Sequence, residues 1–483
     1  MKKTAKVLCT VLSAVLVAGN VASMASCSKG FGDVEVVAYD GSAVTVMFYH
    51  TMGAKLKEVV DKYKPKFNEM YPNITVKHES MGDYPGLRDQ ISTELTANNA
   101  PSLAFCYPDH VALYNTAKAT LPLDDFIASD LEVTDALGNT TTMGFTDAQI
   151  ADFVPAYYAE GKSFGDDIMY TLPFAKSTEV LYYNKTYFTQ KGYSGPRTWD
   201  EMETLCATIK ADDPNSIPLG YDSEANWFIT MTEQLGTPYT SATGTKFQFN
   251  TPENRAFVEK YRDWYTKRYV ITEEINGGYT SNLFTASSDK THSYMTIGSS
   301  AGASYQCPAP VEGQGNAYPF EVGVAMIPQK DVASYEDTTK AKVISQGPSI
   351  CLFKKSNAQE VAAAWLFAKF ITSTVEFQAE YSMKSGYAPV IQSVQQNPVY
   401  QTFLNTADGN ANLQASCVKQ SIAQMNAYYV SPAFNGSSAA RDKVGELIQN
   451  CFVNSPAAGQ SVSDFVKEQF DSAIDALAYD YGN

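Results

Sequence analysis

The chain of 483 residues carries little charge for its length, with 18% Asp, Glu, Lys and Arg, and that charge leans one way: 52 acidic against 36 basic side chains. It has four histidines, and its eight cysteines include no CxxC pair. After position 27 no apolar run is long enough to span a bilayer as a helix. Each shortage excludes something. The acidic balance argues against nucleic acid, and against an anionic membrane surface, as partner. Scattered cysteines make no disulfide scaffold, so those at 106, 206, 307, 351, 417 and 451 are expected as thiols packed in a core. Cys106 and His110 with the distant His50 lack the spacing of a metal site, and no HExxH or GxSxG occurs, so neither metal nor cofactor is expected. Gly313-Gln314-Gly315 is a turn, because no strand-to-helix junction surrounds it. A hydrophobic content of 44% is nonetheless that of a folded globular protein.

The first residues have an order of their own. Lys2, Lys3 and Lys6 precede an apolar stretch over 7–17, and small residues then lead to Met24-Ala25-Ser26-Cys27. This is the order of a signal peptide, and its end resembles the bacterial lipobox, in which the cysteine is acylated and becomes the new N-terminus. Met24 stands where that pattern prefers Leu. The expected division is a signal peptide over 1–26, lipidation at Cys27, a polar tether over 27–42, and an extracytoplasmic body held to the membrane by lipid alone. Removing the leader leaves 457 residues, 33 basic and 52 acidic, enough for two or three domains.

The body opens on alternating elements. Residues 44–49 read as a strand, and Leu56, Val59, Val60, Tyr63, Phe67 and Met70 form a helical stripe that Pro65 should kink or break. A strand at 74–76, a helix through Leu87, Ile91 and Leu95, and a strand at 102–106 follow. Such alternation predicts an α/β layer with parallel strands, whose ligands bind beyond the strands' carboxyl ends. Loops 50–53, 80–86 and 107–110 are therefore candidate ligand walls. A second α/β region starts near 179–183. Helices are expected at 199–209, 252–269 and 358–372, strands at 292–297, 321–327 and 349–353, and a closing amphipathic helix at 463–479.

Several segments carry a resemblance. They are FYHTMG (48–53), GDYPGL (82–87), APSLAFCYPDH (100–110), LPFAKSTEVLYYNK (172–185), PRTWDEM (196–202), YMTIGSSAG (294–302), ISQGPSICLF (344–353) and SGYAPV (385–390). Each is weak alone. In this order behind a lipobox, they resemble the extracellular solute-binding proteins of ABC importers, in the class of maltodextrin and glycerol-3-phosphate receptors. The resemblance implies a two-lobed, periplasmic-binding-protein-like α/β fold. The chain would cross three times between lobes, near 175–180, 298–301 and 347–350. One lobe would comprise 43–176 and 300–347, the other 177–299 and 348–483. It further implies a monomeric receptor without catalysis, closing by a hinge over a small molecule and docking on permease subunits. Carried over residue by residue, the ligand groups are Tyr84, Ser177, Ser299 or Ser300, Gly347, Tyr387 and Arg441. Asp109 stands one place from the family's acidic residue, with Pro108 in that place. Trp227 lies where the family supplies an aromatic platform, and His50 is expected to line the cleft.

Arg441 also has an argument of its own. Ser437-Ser438 read as an N-cap, and Val444, Ile448, Cys451 and Phe452 mark the buried face of the following helix, with Arg441 on that face in the first turn. A cation there opposes the helix dipole by ~0.3–1 kcal/mol. An anionic ligand would remove the conflict, and a phosphate suits a bidentate guanidinium; a salt bridge within the protein, or simple solvation, would do so too. The expected ligand is a carbohydrate or a polyol phosphate such as glycerol 3-phosphate. A neutral oligosaccharide is the alternative, with Arg441 then paired to an acid of the protein. A lipoprotein glycoside hydrolase with two carboxylates is the rival of another class.

Overall fold

The computed structural model describes residues 34–287, 289–314, 317–406 and 409–482. The leader, Cys27, the first part of the tether and Gly315 lie outside them.

The opening alternation folds as its pattern dictates. Val46 and Phe48 of strand Val44–His50 point into the core with no exposed surface. That strand pairs in parallel with Ile74–Ser80 on one side and Leu103–Cys106 on the other. Helix Ala54–Met70 covers it with Val59, Val60, Tyr63 and Phe67. Pro65 does not end this helix; it lies on the exposed side, where the carbonyl left without a donor can face water. Asp83 caps the next helix, Tyr84–Thr96, by accepting from the Gly86 N–H at 2.8 Å, and so sets Tyr84 at its first turn.

Two sheets organise the body. The first runs, in order, Ile74–Ser80, Val44–His50, Leu103–Cys106, Ser349–Leu352 and Leu172–Pro173. The second is centred on Ser177–Asn184, a strand buried along most of its length, which pairs antiparallel with Met295–Ser299, Val322–Ala325 and Val343–Gln346. Leu219–Tyr221 and Val270–Thr272 extend that sheet on one side, and Tyr428–Tyr429 on the other. Helices Trp199–Asp212, Glu224–Leu235, Pro252–Thr266, Ser437–Val453 and Val462–Tyr481 build its core around Trp199, Trp227, Tyr261 and Trp264. The result is two sheet-bearing lobes.

Two expected lobe assignments are exchanged. The strands inside 300–347 pair in the second sheet, whereas Ser349–Leu352 pairs with Leu103–Cys106 in the first. Helix Ala358–Ser373 packs on Val44–His50, and helix Val375–Ser385 on Ala54–Met70, so they too belong to the first lobe. The crossings at 174–177 and 346–349 lie where expected, side by side: the Phe174 and Ala175 N–H groups both donate to Pro348 O at 3.1 Å. No crossing occurs at 298–301, where the chain turns into the short helices Ser300–Gly302 and Ala303–Gln306 of the second lobe. The third crossing lies instead between Val375–Ser385 and Leu413–Ala423, the latter packed on Ser177–Asn184. Short apolar strands suit either sheet, and only long-range pairing decides between them.

At the paired crossings Gly347 has a φ of +93°, and a Cβ on it would fall 2.3 Å from Ala175 O. Gly347→Ala is expected to cost about 2 kcal/mol or more through strain and clash. Equilibrium urea unfolding measures this, and unchanged stability would contradict it.

Candidate ligand-binding site

Where the two sheets face each other, the strand Leu103–Cys106 ends in a loop that starts helix Pro108–Asn115. This is the position at which α/β sheets receive ligands. Tyr107 at the cap of that helix and Asp109 in its first turn, with Glu160, form the first lobe's wall of a pocket that opens to solvent. The second lobe supplies Tyr239, Thr240, Gln346 and Arg441.

Four lining side chains hold buried polar atoms without a partner: Asp109 Oδ2, Glu160 Oε2, Tyr239 Oη and Thr240 Oγ1. Buried polar groups are ordinarily satisfied, because each one left unmade costs about 1–3 kcal/mol. Four on residues lining one pocket are groups that a polar solute can satisfy.

Arg441 enters from helix Ser437–Val453. The cap of that helix is Gly436 (φ +108°) rather than the serines. Ser437 instead bonds back to Phe434 O at 2.8 Å, and Ser438 accepts from Arg88 of the first lobe at 2.9 Å. Arg88 also reaches Asp442 at 2.8 Å, so a charged contact joins the lobes beside the pocket. The Arg441 guanidinium donates to Asn226 Oδ1, and among the described residues no carboxylate lies within ion-pair distance of it. Asn226 Nδ2 donates to Glu179 Oε1 at 2.8 Å and to Gln346 Oε1 at 2.9 Å. Glu179, on the central strand, also accepts from the Tyr221 hydroxyl at 2.7 Å. Burial pushes its carboxyl up to about 7, against the opposing pull of the Tyr221 and Asn226 donors and the Arg441 charge.

On the other side Tyr84 stacks on Tyr107, ring centroids 4.1 Å apart, and both are half-buried. Tyr387 completes this aromatic rim, its hydroxyl pushed up to about 12 by burial.

Of the expected site residues, Asp109 and Arg441 line the pocket, Tyr84 stacks on Tyr107, and Tyr387 packs on Tyr381. The rest are placed elsewhere. Trp227 is fully buried, stacked on Tyr221 at 4.8 Å and against Tyr261 at 4.1 Å, so it offers no platform; its neighbour Asn226 faces the network. His50 has no exposed surface and does not line the opening; its ring lies 2.8 Å from His78, Nδ1 accepts from the Met52 N–H, and burial pushes its pKa down to about 3. Ser177 is buried in the central strand, and Ser300 Oγ accepts from the Thr178 N–H at 3.3 Å. Ser299 Oγ caps the turn at Ala301, and Gly347 serves the crossing. Tyr107, Glu160, Asn226, Tyr239 and Gln346 were not singled out beforehand. Tyr107 alone had a signal, its place in the loop 107–110. Among the described residues no His, Cys, Asp or Glu group could hold a metal, and the six cysteines are free, all but Cys307 buried.

A pocket between two α/β lobes joined by three crossings, largely apolar with a few polar groups, is the setting of a binding protein. The chain belongs to the bacterial extracellular solute-binding proteins, whose family profile matches residues 62–409. That family is one of binding proteins, not enzymes. The sn-glycerol-3-phosphate-binding periplasmic protein UgpB of Shigella flexneri is 24% identical over 370 residues, 73% of this chain and 75% of its own length. UgpB from Mycobacterium tuberculosis, solved with glycerophosphocholine, superposes with a TM-score of 0.66 at 16% identity, covering 91% of this chain and 99% of its own. Maltose-bound MalE3 of T. maritima gives 0.66 at 18% identity, covering 90% and 100%. Among the described residues no helix is long and apolar enough to cross a membrane.

The raised Glu179 carboxyl sets a pH dependence. A group with an ordinary value of 4.5 and a folded value of about 7 favours the folded state fully below pH 4.5, and that contribution fades as pH rises to about 7. Glu179→Gln removes it. Urea unfolding at pH 4.5 and 8 should show wild type losing on the order of 3 kcal/mol relative to the variant. Parallel pH curves would refute the assignment.

Proposed function

We propose that the chain is a lipid-anchored receptor that delivers a carbohydrate or polyol phosphate, glycerol-3-phosphate-like, to an ABC importer. The supporting observation is Arg441: a guanidinium lining the pocket with no carboxylate partner among the described residues. An anion is the partner such a fork suits, and bidentate pairing fits a phosphate. Asp109 Oδ2 then accepts from ligand hydroxyls, while the Tyr239 and Thr240 hydroxyls donate to ligand oxygens. Tyr84, Tyr107 and Tyr387 pack on the ligand's C–H faces. The ligands of these relatives, sn-glycerol 3-phosphate, glycerophosphocholine and maltose, fall within this chemistry.

A neutral oligosaccharide is the second reading, favoured by the two lining carboxylates with unpartnered oxygens. It loses ground because it expects Arg441 to be paired with an acid. In the preferred reading the receptor is a monomer. Residues 1–26 are removed, Cys27 carries the lipid, and the tether keeps the body near its permease, raising effective concentration without new contacts.

Thermal-shift titration of the full chain in detergent with glycerol 3-phosphate, a glycerophosphodiester and maltotriose tests the ligand. A phosphorylated probe is expected to raise the melting temperature in a concentration-dependent way. Arg441→Ala should weaken its binding at least tenfold while the unliganded protein melts nearly unchanged. Shifts with maltotriose alone would favour the second reading. For the anchor, Cys27→Ala should abolish labelling by radioactive palmitate and release the protein from membranes; labelling that persists would contradict lipidation at Cys27.

A further inference from the structure

A second charged pair is sealed behind the pocket. Lys176 Nζ and Glu160 Oε1 lie 2.5 Å apart, with side chains 0% and 3% exposed. Lys176 belongs to the first paired crossing, and its ammonium also donates to Ser349 Oγ at 3.0 Å and Gly347 O at 3.4 Å on the second. Its backbone pairs in both directions with Ala388, next to Tyr387 of the aromatic rim. Glu160 stands in the turn Glu160–Lys162 of the first lobe and lines the pocket. One of its oxygens is held by Lys176; the other is buried and has no partner.

Stability alone does not explain this arrangement. Desolvating two charges offsets most of their attraction, and apolar replacements of buried pairs are often neutral or stabilising. Leaving a carboxylate oxygen unpartnered adds a further cost. The free Oε2 lacks a donor, and its residue lines the pocket. Arg441 and Lys176 differ in this respect. The first has no carboxylate and lines the pocket, whereas the second has its acid and is fully buried.

We propose that Glu160 is a ligand-contact residue whose Oε2 accepts a hydrogen bond from a hydroxyl of the bound solute, while Lys176 fixes the carboxylate to both crossing segments. This rests on the receptor reading above and narrows it. The solute presents a hydroxyl donor to the wall beside the crossings, separate from the group it offers to Arg441. Simple anions such as inorganic phosphate fill only one end of the pocket. Because Lys176 grips both crossings, the contact also ties occupancy to the segments about which the lobes move.

Glu160→Gln tests the assignment. Its amide can still accept from Lys176, but it then turns a donor toward the pocket, where ligand hydroxyls must donate. Calorimetric titration of wild type and E160Q, full chain in detergent, uses glycerol 3-phosphate and maltotriose as probes. The probe that wild type binds should bind E160Q at least tenfold more weakly, with the unliganded melting temperature within 5 °C of wild type. Should E160Q fail to fold, E160D, which keeps the charge for Lys176 and retracts the second oxygen, should show the same loss. Unchanged affinity, or a loss accompanied by a larger fall in melting temperature, overturns the inference and leaves the receptor reading standing. Failure of wild type to bind either probe overturns both.

Discussion

The side-chain amide of Asn226 is the interaction on which the pocket depends. Its oxygen accepts from Arg441 and Gln346, and its nitrogen donates to Glu179 and Gln346, so both ends are saturated. These partners come from the central strand, the strand entering the second crossing and the helix Ser437–Val453. A neutral amide orients the guanidinium without neutralising it. A carboxylate in the same place would quench the charge that the pocket presents. Glu179 is kept one bond further back, where burial raises its carboxyl and weakens its claim on Arg441.

The same economy runs through the first lobe. Asp109 stands at the start of a helix, where backbone N–H groups favour an anion, and keeps one oxygen unpartnered at the pocket. Glu160 does so with a lysine behind it. The pocket thus combines one open cation with two carboxylates that each keep an unpartnered oxygen, a pattern suited to a solute that both donates and accepts. The contact of Arg88 with Ser438 and Asp442 brings the lobes together at its edge.

How much of this could be read from the chain varies with the range of the interaction. The parallel strands and covering helices of 44–115 were legible because each alternation is local and repeats the strand–loop–helix order. Asp109 and Arg441 were singled out in the sequence and both line the pocket, although with Gly436 as cap Arg441 is the fifth residue of its helix, beyond the first turn. Trp227 and Asn226 are adjacent on one helix, and which of them meets the cleft depends on how that helix is rotated against the sheet. No local pattern encodes that rotation. The exchange of 300–347 with the segment around 349–397 has the same origin, since strands of four residues carry too few side chains to specify a partner. His50 read as a cleft residue from its loop, but the Met52 N–H and His78 hold it in the core. Glu160 had no signal, because its role depends on the packing of Lys176 against a crossing 171 residues away.

The central claim is that Arg441, oriented by a neutral amide, receives the anionic group of a polyol solute. A crystal structure of the protein with glycerol 3-phosphate tests it most directly. The account predicts phosphate oxygens within hydrogen-bond distance of the Arg441 guanidinium, ligand hydroxyls on Asp109, and Asn226 still bonded to Arg441. A phosphate bound elsewhere, or Arg441 turned onto a protein carboxylate with the pocket empty, would contradict it.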